Sequence, residues 1–256
     1  MNAWRRILFA LATSLVAVGA AAQEFPSKPI RLLIPFTPGG GTDFVSRLIA
    51  SKLNEVGWNV VPENRPGAAG NIAIEAASKS PPDGYTIVMG QSDNMMLGPW
   101  LYPNVGYDTV KSFAPIVQVS STALAIVSSA QSKLLTPADL IAKSRSAAGL
   151  TWATAGNGTV GHLFGEQFER TVRTKLLQVH YKGAAPALAD VVGGQVDVAI
   201  LSVASVLPLV RAGKLNAVAV TTRKRSAALP AAPTLDETIM KGADVPIWLG
   251  LFAPAG

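Results

Sequence analysis

The sequence predicts an α/β fold built in two parts, and three observations predict it. Short apolar, β-branched runs alternate with amphipathic helical runs along most of the chain, the order expected of an α/β fold with mainly parallel sheets. Several apolar runs stop abruptly in a glycine-rich loop that leads straight into a helical run, first at Thr37-Pro38-Gly39-Gly40-Gly41-Thr42-Asp43. Of the 256 residues, 49% are hydrophobic and 15% charged, which suits cored globular domains and not a disordered chain.

The chain opens on a secretory pattern. Trp4-Arg5-Arg6 is a short basic start, residues 7–17 are apolar, and Ala20-Ala21-Ala22 before Gln23 forms a small-residue cleavage site. Cleavage is expected after Ala22, because the apolar stretch is too short for a membrane span. Strand-like runs then fall at 30–36, 85–90, 113–119, 123–128, 150–155, 178–181, 196–201 and 215–221. Helical runs fall at 44–56, 71–79, 137–146, 161–173 and 186–192, with Thr136 and Pro137 forming a cap and first-turn pair. Residues 248–254 read as a last strand. The expected organisation is a leader at 1–22, a discontinuous first domain of 23–102 plus 226–256, and a second domain at 103–225.

Composition excludes several chemistries. With 0 cysteines there are no disulfides, thiolate nucleophiles or Cys-ligated metals. The net charge of +6 is scattered, apart from Arg223-Lys224-Arg225, and lacks the aromatic interleaving of a nucleic-acid platform. Gly39-x-Gly41 lacks the third glycine of a dinucleotide loop, and His162-Leu163 stands where a triphosphate loop needs Lys-Ser/Thr. Neither G-x-S-x-G nor H-E-x-x-H occurs, and His162 with Glu166 offers two metal ligands without a third. No cofactor and no metal are implied.

Glycine and hydroxyl residues at strand ends remain, where open α/β sheets bind ligands. At the first loop, backbone N–H groups and a helix dipole favour a small anion. Asp43 there either touches ligand or steadies the helix dipole. A second such junction, Thr154-Ala155-Gly156-Asn157-Gly158-Thr159, makes Thr159 an anion donor, a helix N-cap, or both. Lys182 either neutralises a ligand carboxylate or stands as a solvated rim lysine. Asp197 either orders loops or reaches ligand, and Ser202 and Ser205 offer hydroxyls after a further strand.

These segments carry a family likeness. Pro35-Phe36-Thr37-Pro38-Gly39-Gly40-Gly41-Thr42-Asp43 with Arg47 resembles the first-loop signature of the tripartite tricarboxylate transporter substrate-binding proteins, the Bug or TctC-like receptors. Asn64-Arg65-Pro66-Gly67, Pro82-Asp83-Gly84-Tyr85, Gly156-Asn157-Gly158-Thr159 with His162, Tyr181-Lys182-Gly183, Gly193-Gly194-Gln195-Val196-Asp197 and Ala253-Pro254-Ala255-Gly256 follow in the family's order. The resemblance implies a periplasmic-binding-protein-like fold, two α/β domains closing on a small carboxylate. It also implies a monomeric periplasmic receptor that delivers its ligand to membrane permease subunits, without catalysis. By the same resemblance the candidate ligand residues are Phe36, Pro38, Gly39, Gly40 and Asp43, then Ser92, then Asn157, Gly158, Thr159 and His162, then Lys182, Asp197 and Ser202. Ser92-Asp93-Asn94-Met95-Met96 departs from the family pattern, so Asp93 either selects a ligand bearing a cation or hydroxyl or faces solvent. Family members continue past Gly256, so a C-terminally truncated chain is expected. Two other function classes stand beside the receptor: an exported hydrolase or lyase using His162, Asp197 and the serines, and a receptor that docks on a signalling partner.

Overall fold

A computed structural model describes residues 25–256. The expected leader lies outside the described residues. The strands form one curled mixed array in the order β2-β1-β3-β9-β4-β7-β5-β6, with β8 also paired to β4. It reads as two wings joined through two long strands.

The first wing holds β1 (Ile30–Ile34), β2 (Val60–Asn64) and β3 (Thr86–Gln91), with β1 parallel to both neighbours. Helix α1 (Gly41–Glu55) and helix α2 (Asn71–Ser78) cover opposite faces. Alternation along β1 explains this: Leu32 and Ile34 pack with Ala50 of α1, while Leu33 packs with Ile74 and Ala77 of α2. A π-helical turn (Ser92–Leu97) and helix α3 (Gly98–Leu101) follow β3.

The link is β4 (Phe113–Ser129). Its first part pairs with β9 (Pro246–Pro254), and its second part pairs with β7 (Val198–Ser202) and β8 (Leu215–Val220). The second wing adds helix α4 (Pro137–Ser144), β5 (Leu150–Thr154), helix α5 (Val160–Val172), β6 (Leu176–His180), helix α6 (Ala184–Val192) and helix α7 (Val203–Arg211). One face packs Trp152, Phe164 and Phe168, and the other packs Ala153, Leu188, Val191 and Val206. After β8, Leu229 and Ala232 join the second of these cores, and Leu235 of the short helix α8 (Leu235–Thr238) joins the first, before β9 returns to the first wing.

The α/β class and the final strand at 246–254 are as the sequence predicts. Three expectations are corrected. The sheets are not mainly parallel, because every pairing made by β4 and β9 is antiparallel. The runs at 113–119 and 123–128 are one strand; Ser120, Ser121 and Thr122 interrupt its apolar pattern, and register shifts near Pro115 and Gln118 bend it. β2 escapes the pattern because Pro62 sits in it, which an edge strand tolerates. Pro208 similarly hides α7.

Candidate functional site

The first loop is shaped by α1's own acid. Asp43 Oδ2 accepts from Gly39 N at 3.0 Å, and Oδ1 accepts from Asn64 Nδ2 at 2.8 Å. Arg47 Nε lies 2.9 and 3.0 Å from the two oxygens, and Asn64 Nδ2 also holds the Phe36 carbonyl at 2.9 Å. Gly39 takes a φ of +85°, a conformation glycine reaches without a Cβ penalty. Burial pushes the Asp43 carboxyl up. The Arg47 guanidinium, the Gly39 N–H and the Asn64 amide together outweigh that and hold it below the usual range. Asp43 is 4% exposed and spends its acceptors inside the loop, so it sets the loop's shape and is not part of the cavity wall.

Between the wings lies a cavity of about 60 Å³. Four helices begin at its wall: α1 at Gly41, α5 at its cap Thr159, α6 at Ala184 and α7 at its cap Ser202. First-turn N–H groups have no intrahelical partner, and each helix start carries positive potential. Gln91, Ser120, Thr122 and Ser205 add side-chain donors, and Phe36, Ile200, Ile247 and Leu249 supply apolar wall. Among the described residues no Lys or Arg lines the cavity.

The wings are clasped around it. Gly41 N donates to Ser205 Oγ at 2.8 Å, and Val160 N donates to Asp93 Oδ1 at 2.6 Å. Tyr102 donates its hydroxyl to the Asn157 carbonyl at 2.7 Å, and Thr37 N lies 3.4 Å from the Lys182 carbonyl. A Cβ on Gly41 would stand 2.7 Å from Ser205 Oγ, which shows how closely the loops approach. Asp93 is 2% exposed and also accepts from the Gln91 amide, whose carbonyl takes the Thr42 hydroxyl at 2.9 Å. Burial pushes its carboxyl up to about 6, with the Val160 N–H and the Gln91 amide pulling the other way. Asp93 therefore does not face solvent.

The candidate residues divide into groups. Phe36, Gly40, Thr159 and Ser202 line the cavity. Pro38 and Gly39 stand in the loop behind it. Ser92 accepts from Trp248 N at 3.0 Å beside a separate groove. Asn157 and Lys182 line a side cleft with His180 and the turn Ala68–Gly70. Gly158 donates to His162 Nδ1 at 3.0 Å, and the His162 ring meets His180 edge-on at 4.6 Å between centroids. Asp197 is not at the cleft: it accepts from Thr151 N and Oγ1 at 2.9 and 2.8 Å, at the opposite end of β7 from Ser202. Five residues of extended chain, roughly 16 Å, separate the two, so Ser202, His162 and Asp197 are not brought together. Gly41 and Thr42, of the first loop but not among the candidate ligand residues, also line the cavity, as do Gln91, Ser120 and Thr122, which no motif marked; the hydroxyls that interrupt β4 were the available signal. Among the described residues no group of three or more His, Asp or Glu is placed to hold a metal, and no helix is long and apolar enough to cross a membrane.

Residues 45–256 match the model of the tripartite tricarboxylate transporter family receptor. Protein BugT of Bordetella pertussis is 33% identical over 249 residues, 96% of this chain and 76% of that protein. The R. palustris protein Rpa4515, solved with adipate, superposes with a TM-score of 0.86 at 33% identity, covering 91% of this chain and 79% of its own. MatC of Rhodopseudomonas palustris, solved with bound malate, gives a TM-score of 0.83 at 29% identity, covering 91% and 80%.

Proposed function

Because the chain belongs to the tripartite tricarboxylate transporter receptor family of periplasmic solute-binding proteins, we propose that it captures a small organic carboxylate by closing its two wings and delivers it to membrane permease subunits. The observation that carries this reading is the convergence of four helix starts on a cavity between the wings that six Ser and Thr residues help to line and, among the described residues, no Lys or Arg enters. Such a site holds an anion by backbone N–H groups and dipoles, without a cationic side chain to fix one ligand geometry. The carboxylates bound by Rpa4515 and MatC support it.

In this reading Phe36, Gly40, Thr159 and Ser202 touch the ligand, and Pro38, Gly39 and Asp43 hold the first loop in register. Gly158 and His162 shape the second loop, while Ser92, Asn157 and Lys182 serve the neighbouring clefts. The clasped contacts supply the closed state that ligand must favour, since a ligand shifts an open–closed balance only by its differential affinity. The second domain, expected at 103–225, is drawn here at 130–245, supported by the packing of Leu229, Ala232 and Leu235 in the second wing's cores, with the two domains meeting where β4 and β9 cross. The leader is removed after Ala22, and the mature chain works as a monomer in the periplasm.

The test is direct. Ligand released from the purified chain by denaturation is identified by mass spectrometry, and its binding is measured by calorimetry on the refolded protein. One unmodified carboxylate per chain is expected. A ligand without a carboxylate, or turnover of the bound acid, overturns the reading.

A further inference from the structure

The cavity is electrically lopsided. Gly40 and Gly41 of the first wing lie against Ala184, Ser202 and Ser205 of the second, so the starts of α1, α6 and α7 gather at one place. The start of α5 differs. The first N–H of α1, from Gly41, goes to the neutral Ser205 hydroxyl, whereas that of α5, from Val160, goes to the Asp93 carboxylate at 2.6 Å. Among the described residues Asp93 is the only charged one in the cavity wall, and it is 2% exposed, tethered across the wings by Val160 and within its own wing by Gln91. One part of the cavity therefore gathers three helix starts whose only side-chain acceptors among the described residues are the neutral hydroxyls of Ser202 and Ser205, and another presents a fixed acid.

From this asymmetry, and resting on the carboxylate-receptor reading above, the geometry points to Asp93 as the specificity-determining residue of the cleft: it selects short monocarboxylates that carry an ammonium or hydroxyl group away from the carboxylate, over the matching unsubstituted dicarboxylates. The ligand carboxylate takes the α1, α6 and α7 starts. Its donor group reaches Asp93 in a charge-assisted hydrogen bond. A second carboxylate at that place meets a like charge in a site with little water to screen it, and one of the two acids must then take a proton.

Two matched series test this on the purified chain, stripped of bound ligand, by calorimetry at pH 7.5. The probes are malonate, succinate, glutarate and adipate, against β-alanine, 4-aminobutyrate, 5-aminopentanoate and 6-aminohexanoate, with 4-hydroxybutyrate added. The best amino or hydroxy acid is expected to bind at least tenfold more tightly than its matched diacid. Asp93→Asn is expected to shrink that ratio to within threefold or reverse it. Asp93→Ser serves as a second variant, and thermal unfolding of both without ligand confirms that they fold. Equal or tighter binding of the diacids to the unmodified protein overturns the assignment. So does a ratio unchanged in both variants, or no binding in either series. None of those results touches the carboxylate-receptor reading, which stands or falls on the identity of the released ligand.

Discussion

Gly41→Ala is expected to leave each wing folded while crippling closure. Gly41 opens α1, and its backbone needs no left-handed φ, so alanine is conformationally acceptable there. The obstacle is steric and comes from the other wing. An added Cβ would lie 2.7 Å from Ser205 Oγ, 2.8 Å from Ser202 Oγ and 2.9 Å from Ser205 N. The Ser205 nitrogen is backbone at the start of α7, and Ser202 is that helix's cap, so neither yields by a simple rotamer change. The wings must part by several tenths of an ångström, which strains the Gly41 N to Ser205 Oγ hydrogen bond of 2.8 Å. Overpacking of this kind costs about 1–3 kcal/mol, and the lost hydrogen bond about 0.5–1.5 kcal/mol. The closed state is thus destabilised by roughly 2–4 kcal/mol, a ~30- to ~1000-fold loss of affinity. Calorimetry with the released ligand measures the affinity, small-angle scattering the closure, and scanning calorimetry of the ligand-free protein the fold. Undiminished affinity refutes the closed-state contact. A fall of more than a few degrees in the ligand-free unfolding temperature places the clash within one wing and also refutes it.

Further expectations follow from the two buried acids and a cap. Asp43→Asn removes the charge that joins Arg47, Gly39 and Asn64, and should cost about 2–3 kcal/mol, a drop of several degrees in unfolding temperature. Asp43's carboxyl is held below its ordinary 3.8, so its stabilisation is present above pH 4 and is lost as pH falls through the lowered value; Asp43→Asn should abolish that acid-side loss in denaturant titrations. Asp93 has the opposite sign. Its carboxyl, pushed from 3.8 to about 6, binds a proton more readily in the folded chain, so stability should rise as pH falls from about 7 to 4, by ~3 kcal/mol at most, and Asp93→Asn should flatten that slope relative to the unmodified protein. Dicarboxylate binding should strengthen as pH falls from 7.5 toward 5.5, because protonating Asp93 removes the like charge; calorimetry across that range reads it. Thr234→Ala should cost about 1 kcal/mol, since Thr234 Oγ1 accepts from Glu237 N at 2.9 Å in a capping box at the start of α8; chemical denaturation measures it.

Much of the local structure was legible in the residue order. The Ile30–Ile34 run, its glycine loop and the helix after it are dictated by neighbours in sequence, because apolar alternation, left-handed glycine and an early-turn acid act within a few residues. Thr136 and Pro137 announced α4 for the same reason, through a capping box with Asp139. Pro62 and Pro208 concealed β2 and α7, since proline argues locally against an element that an edge position or the surrounding packing then allows. The site was legible in its loops and illegible in its pairings. Gly39 and Arg47 lie four residues to either side of Asp43, but nothing local says that Asn64 also holds its Oδ1, and nothing near Asp197 says that Thr151 holds it at the far end of β7.

The sequence by itself determined the α/β class, the glycine-rich helix starts and the family, because propensity, spacing and ordered motifs are properties of the chain read in line. Only the tertiary structure decided that β4 and β9 run antiparallel through the centre, that four helix starts from two wings share one cavity, and that Asp93 sits against the start of α5. Those are contacts between segments 50 or more residues apart: Val160 lies 67 positions from Asp93, and Ser205 lies 164 from Gly41. Burial and charge at such places depend on which surfaces meet, and local pattern carries no record of that.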